Sequence, residues 1–547
     1  MTSARYTPPA AGPSTPAPRG RARAMPIIAA LVGVGFGLSF APSTSWIASA
    51  LMLLVLVGLL ERAGTTRRAG LFGFMFGLGW FGAGIHWLYI SLHDFGEMAP
   101  WLAGAAVAAL SAYLSLFPAL AAALWHWLRE RLGSPLLALS FATLWTASEW
   151  LRATLFTGFP WIATGYAQVD GPLRNWAPIG GIELVTFMTA YVASELAISA
   201  VPAPRVMPSR PGQPVVMFAL PPFRLLAIGG IVVLLALSAL LGAVDWTTPL
   251  GQPISVRLAQ GNVAQDVKFD PAHLEEQFNI YDELRRSGRA DLIALPETAY
   301  PVPVQDWPPG HLAKLAEQAK ADSNVLITGV PIIDPDASKP LGGDWYNAAI
   351  SIGSTPGAAS DDAPPRYAKH HLVPFGEFVP YGFRWFVDAM VMPLGDFTRG
   401  DRVQKPFAVR DQRIGVNICY EDLFGDEIAA TLRQDQPASI LLNLSNIAWF
   451  GDTIALPQHL AASRMRAIET GRPMLRATNT GITASIDSRG RVRDSLAPFT
   501  RGVLQGTVQG TQGSTPYVRF GDTLIGVILA LAIALIVIAV RRGRRPG

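Results

Sequence analysis

Gly415-Val416-Asn417-Ile418-Cys419-Tyr420-Glu421-Asp422 joins an apolar strand to the start of a helix, with the chain's sole cysteine at the junction. Alternation before the junction fits a strand at 413–418, and the acidic residues after it fit a helix at 421–433. The same pattern recurs on both sides. Strands are expected at 254–263, 292–295, 324–333, 346–353, 438–445 and 482–487, with helices at 271–287, 310–322 and 456–470. Strands alternating with helices over 250–512 predict an α/β layered domain. About 260 residues suffice for one core.

Outside that stretch the chain changes character. Hydrophobic residues make up 50% of the sequence, charged residues only 15%, and the mean hydropathy is +0.29. Soluble domains carry about 25% charged residues, so much of this chain is expected in lipid. Apolar runs long enough to span fall near 25–42, 45–61, 70–92, 100–127, 135–155, 178–201, 224–243 and 523–540. The first resembles a signal-peptide core, but the runs that follow favour an uncleaved span.

Arginines set the orientation. Arg19, Arg21 and Arg23 precede the first run; Arg62, Arg67 and Arg68 follow the second; Arg129 and Arg131 follow the fourth; Arg205, Arg210 and Arg224 follow the sixth; Arg541 and Arg542 follow the last. The positive-inside rule then puts both termini in the cytoplasm and the α/β domain outside it. The expected organisation is a disordered cytoplasmic segment 1–24, a membrane domain 25–245 of about seven helices, an extracytoplasmic domain 250–512, a final span 523–540 and a basic tail 541–547. The net charge of +4 comes largely from these membrane-flanking arginines, which excludes the nucleic-acid footprint of a basic soluble domain.

Three local motifs in 250–512 carry chemistry: Leu295-Pro296-Glu297-Thr298, the stretch Tyr367-Ala368-Lys369-His370-His371-Leu372-Val373-Pro374-Phe375-Gly376-Glu377, in which a lysine leads into a Pro/Gly-rich loop, and the cysteine junction. A cysteine at a strand end, before a helix and near an ammonium, is expected to have a lowered thiol pKa and to act as a nucleophile. A strand-end carboxylate can take its proton. A lysine aimed at the oxyanion stabilises a tetrahedral intermediate.

In order and context, Glu297, Lys369 and Cys419 resemble the Glu-Lys-Cys set of the nitrilase superfamily. The surrounding stretches QGNVAQDVKFDP (260–271), KHHLVPFGEFVPYG (369–382), NICYEDLFGD (417–426) and 443–484 resemble its membrane branch, the apolipoprotein N-acyltransferases. The resemblance implies a multi-spanning α-helical bundle plus a nitrilase-like α-β-β-α sandwich in the periplasm of a bacterial inner-membrane protein. It implies an acyl chain taken from a phospholipid, typically phosphatidylethanolamine, onto Cys419. The chain then passes to the α-amino group of a diacylated apolipoprotein, with no cofactor or metal. Glu297 would be the general base and Lys369 the oxyanion stabiliser, with Glu377, Tyr420 and Glu421 in support. Phe269 stands where the family commonly has Trp, and Ile447 where Asp is common.

Other features have plainer readings. Adjacent His370 and His371 would point to different sides of a strand, which disfavours a Cys-His peptidase, and scattered histidines lack metal-ligand spacing. Gly33, Gly35 and Gly37 fit close helix packing. Trp80, Trp87 and Tyr89 fit a membrane interface, and Glu149 near Arg152 a span end. Trp449, Phe450, Arg464 and Arg466 are read as core and helix-face residues. Two alternatives are a membrane-anchored amidase using water and a catalytically dead transporter or scaffold. The first shares the thioester stage. The second is disfavoured because Glu297, Lys369 and Cys419 are all present.

Overall fold

The computed structural model describes residues 19–40, 45–132, 134–200, 205–207, 215–217, 222–336, 338–339, 342–353, 364–387 and 396–543. Most of the expected disordered N-terminus, Arg210 and most of the basic tail lie outside these residues. The first helix, Arg19–Leu38, already includes residues assigned to that terminus.

The α/β domain is built on two six-stranded sheets. Its strands are β1 Ile254–Gln260, β2 Leu292–Ala294, β3 Val325–Pro335, β4 Gly343–Ile352, β5 Arg366–Ala368, β6 Phe407–Val409, β7 Gln412–Ile418, β8 Ile440–Ser445, β9 Met474–Thr478, β10 Ala484–Ile486, β11 Val492–Ser495 and β12 Gly502–Val508. One sheet runs β12-β1-β2-β3-β4-β5 and the other β11-β10-β9-β8-β7-β6. Within them β1, β2 and β3 are parallel, as are β7, β8 and β9.

Period-two alternation explains why the sheets face each other. Ile254, Val256 and Leu258 from β1 meet Ile414, Val416 and Ile418 from β7 in one buried cluster with Leu442, Leu444 and Leu475. Each such side chain contributes roughly 1.5–3 kcal/mol on burial. Helices Leu274–Arg286 and His311–Ala321 cover the first sheet through Phe278, Tyr281, Leu315 and Ala319. Helices Gly425–Thr431 and Ala455–Thr470 cover the second through Ile428 and Ala467, against Leu441, Met474 and Ile486. The layering is therefore helix, sheet, sheet, helix.

Among the described residues three helices are long and apolar enough to cross a membrane: Pro100–Arg129, Pro172–Ala200 and Thr523–Arg542. A fourth is a broken pair, Thr66–Gly84 and Leu88–Phe95, bent by 62°. The runs expected to span at 25–42, 45–61 and 224–243 form shorter apolar helices, Ala24–Leu38, Trp46–Glu61 and Ala227–Gly242. The run at 135–155 is the helix Ser134–Thr154. Glycines let these helices close up. A Cβ at Gly33 would lie 2.0 Å from the Phe76 carbonyl oxygen, and one at Gly79 the same distance from that of Ala30. Trp80 is buried among Phe36, Phe76, Phe81 and Trp145 rather than at an interface. Glu149 is equally buried, bonded to Arg152 and to the Thr164 N–H at 2.9 Å.

The two regions share one core. Tyr420, Leu423, Phe424, Ala455, Ala462 and Met465 belong to the same buried cluster as Trp80, Trp145, Leu184 and Ile525. The outer helices of the second sheet thus rest directly on the apolar bundle, and the cysteine junction lies at that seam.

Candidate active site

The junction after β7 is strained as well as central. Cys419 has φ +55, in the left-handed region that costs an L-residue about 1–2 kcal/mol. Its carbonyl accepts from Asn443 Nδ2 at 2.9 Å, and His459 Nε2 lies 3.2 Å from the same oxygen. His459 Nε2 is also 2.8 Å from Asp422 Oδ1, while Arg476 donates to His459 Nδ1 at 3.0 Å. With Nδ1 accepting, Nε2 is the ring's donor and points at the Cys419 turn. These bonds over-determine a backbone conformation that would otherwise relax.

Glu297 lies three residues past the end of β2 in the facing sheet, and Thr298 behind it also has positive φ, +44. Its Oε2 accepts from the Asn446 N–H at 2.7 Å and its Oε1 from Asn347 Nδ2 at 2.8 Å. Asn347 donates equally to Glu377 Oε1 at 2.7 Å, bridging two carboxylates. Lys369 follows β5 and is 1% exposed. Its ammonium lies 2.9 Å from Glu377 Oε1 and 3.6 Å from Glu297 Oε1. Burial works against this ammonium, yet Glu377 and Glu297 overcome it and hold it above the ordinary lysine range.

Glu421 ties the two motifs together. One oxygen accepts from the Ile418 N–H at 2.6 Å and Tyr367 Oη at 2.9 Å; the other accepts from the His370 and His371 N–H groups at 2.6 and 3.0 Å. Burial lifts it to about 7, against the pull of the Ile418 N–H and Lys369. Tyr420 turns the other way and donates to the Gly158 carbonyl at 3.1 Å, reaching the apolar bundle.

One expectation is reversed. Cys419 opens a 3-10 turn, Cys419–Leu423, and the helix expected at 421–433 begins only after it, as Gly425–Thr431. Burial pushes its thiol well above the ordinary range and Glu297 adds to this, outweighing Lys369 and the Tyr420 N–H. The resting thiol therefore holds its proton. His370 and His371 turn away from the thiol, to Gly400 O at 2.8 Å and Glu427 Oε1 at 2.9 Å. Arg464 pairs with Asp170, and Arg466 with Glu469 at 2.8 Å. Phe450 packs on Trp87 and Trp161. Ile447 is buried, whereas Phe269 is half-exposed.

Lys268, Asn347, Asn443, Asn446 and His459 were not singled out from sequence. Each acts through a contact between distant segments; Lys268, Asn443, Asn446 and His459 lie inside stretches that carry the family resemblance, and only that membership could have flagged them. Among the described residues no group of three or more His, Cys, Asp or Glu side chains gathers as a metal site.

Residues 32–194 match the apolipoprotein N-acyltransferase N-terminal domain family, and residues 256–517 match the carbon-nitrogen hydrolase family. An apolipoprotein N-acyltransferase from Ralstonia nicotianae is 45% identical over 535 residues, covering 97% of this chain and 96% of that protein. The chain belongs to the apolipoprotein N-acyltransferase family. Relatives of the same name from Bordetella bronchiseptica and Nitrosomonas europaea are 42% and 41% identical, covering 97% and 95% of this chain and 99% and 98% of their own. The carbon-nitrogen hydrolase match contains Glu297, Lys369 and Cys419 and spans the two-sheet domain.

Proposed function

We propose that this chain is a membrane-embedded acyltransferase that completes lipoprotein maturation. The Cys419 sulfur attacks the carbonyl carbon of a phospholipid ester while Glu297 accepts the thiol proton. Lys369, with the Tyr420 N–H beside the sulfur, steadies the oxyanion. The C–O bond breaks, the lysophospholipid leaves with the proton from Glu297, and Cys419 keeps the acyl chain as a thioester. The α-amino group of an S-diacylglyceryl cysteine then attacks, Glu297 takes its proton, and the restored thiol leaves. Glu377 and Glu421 fix Lys369 and the turn; Tyr420 moors the turn to the bundle. Phosphatidylethanolamine is the proposed donor.

The observation that carries this reading is the position of the carboxylate–lysine–cysteine cluster on the seam between sandwich and apolar bundle. Both substrates are lipids and must reach the thiol from a bilayer, whereas an amidase acting on a water-soluble amide has no use for that seam. The reading includes the inner membrane as location, a multi-spanning bundle, a periplasmic sandwich and cytoplasmic termini. Purified protein given phospholipid and a diacylated lipopeptide should yield a lipopeptide heavier by one acyl chain. Release of free fatty acid with no triacylated product would favour hydrolysis instead.

A further inference from the structure

Lys268 is 1% exposed, yet the nearby carboxylates Glu297 and Glu377 pair with Lys369, and Lys268 has no ion-pair partner among the described residues. Its Nζ donates to the Glu297 main-chain carbonyl at 3.0 Å. An unpaired buried ammonium is costly and is retained for a reason other than stability. The segment carrying it is fixed: Gln277 Nε2 donates to the carbonyls of Val267 at 3.1 Å and Lys268 at 2.9 Å. Gln265 Oε1 accepts from Asn446 Nδ2 at 2.8 Å, and the N–H of that asparagine holds the Glu297 carboxylate. Residues 265–268 therefore grip Glu297 at both ends, its carboxylate through Asn446 and its peptide through Lys268, immediately before the strained Thr298.

We propose that Lys268 is a positioning residue of the acyl-transfer centre, clamping the Glu297 peptide and supplying a second positive charge that favours the Cys419 thiolate. The charged and titratable groups facing it are Glu297 from β2 and Cys419 from β7, with Lys369 and Glu377 beyond Glu297. Burial lowers Lys268 to about 7, against the pull of Glu297 and Cys419. Its charge is present below that pH and lost above it, so its help to the thiolate fades as pH rises.

The proposal rests on Cys419 as nucleophile. It is tested on the full-length protein without lipid, by iodoacetamide alkylation of the sole cysteine on either side of pH about 7. Because no acyl transfer is needed, failure here and failure of lipid transfer are separately visible. Lys268→Met should slow alkylation about tenfold on the acid side and leave it unchanged on the alkaline side. Lys268→Arg, which keeps its charge throughout, should match wild type on the acid side and exceed it on the alkaline side. Glu421 also titrates in this range, but it is common to all three proteins and cancels in their ratios. A Met variant that alkylates like wild type at every pH overturns the proposal, and so does one slowed equally on both sides of that pH, which makes Lys268 a structural prop. Should the Arg variant fail to fold, the Met comparison alone decides.

Discussion

Replacing Glu421 by Gln removes one buried charge while keeping its shape. The carboxylate accepts four hydrogen bonds, from Ile418 N, Tyr367 Oη, His370 N and His371 N. An amide offers one oxygen, and its NH2 must face two of those donors. Burial lifts this carboxyl from 4.5 to about 7, a difference worth about 3 kcal/mol. Its folded pKa lies above its unfolded one, so the folded state holds the proton more tightly. That contribution to stability is complete below about 4.5 and is lost as pH rises through about 7. The substituted amide cannot titrate, so the variant lacks this dependence. The stability of wild type relative to Glu421→Gln should therefore fall by up to about 3 kcal/mol across that window. Unfolding of both proteins in the same detergent, followed from acid to mildly alkaline pH, measures the difference directly, because every other titrating group is shared. The same variant should charge with acyl donor about tenfold to a hundredfold more slowly, as the strand end before Cys419 loses two of its ties to the lysine loop. Parallel unfolding curves for the two proteins would refute the buried, proton-holding clamp described for Glu421.

Lys369→Met should lose about 10²–10³ in the rate of acyl transfer with the fold retained, and Lys369→Arg should also fail, because a planar head cannot occupy the space of a compact ammonium. Single-turnover charging with a circular-dichroism control checks both, and near-normal charging in the Met variant would reassign the lysine. Alkaline phosphatase fused after residue 250 should be active and fused at residue 210 inactive; the reverse pattern would invert the topology and remove the proposed periplasmic reaction.

Legibility in the sequence followed the locality of each signal. Strands β1, β2, β7 and β8 could be read because their apolar residues either alternate or run unbroken between turn residues. Strand β9 was missed because Arg476 interrupts its apolar run; in the fold that arginine is buried and paired with Asp422 at 2.9 Å. Strand β12 alternates exposed and half-buried residues at a sheet edge and gave little pattern. Glu297, Lys369 and Cys419 each sit in a recognisable local motif. Asn347 lies 50 residues from the Glu297 carboxylate it bonds, and His459 is 40 residues from the Cys419 carbonyl it steadies, so no window on the chain shows either pairing. The thiol environment was misjudged for a related reason. Its pKa is governed by burial and the facing Glu297, and neither is visible at the junction itself. In the membrane region hydropathy located the apolar runs but not the break at Gly84. There the freed carbonyl accepts from Trp87 Nε1 and Gln458 Nε2, each at 3.0 Å, and Gln458 comes from the other region.

The central claim is that Cys419 carries the acyl chain between two lipids. Purified protein incubated with phospholipid alone has no acceptor amine, so the reaction should stop at the thioester. Intact-mass measurement should then show one added acyl chain, removable by neutral hydroxylamine, mapped to the Cys419 peptide and discharged when diacylated lipopeptide is supplied. The Cys419→Ala variant should show no adduct and form no product. An acyl adduct that persists in Cys419→Ala, or product formed by that variant at the wild-type rate, would contradict the account.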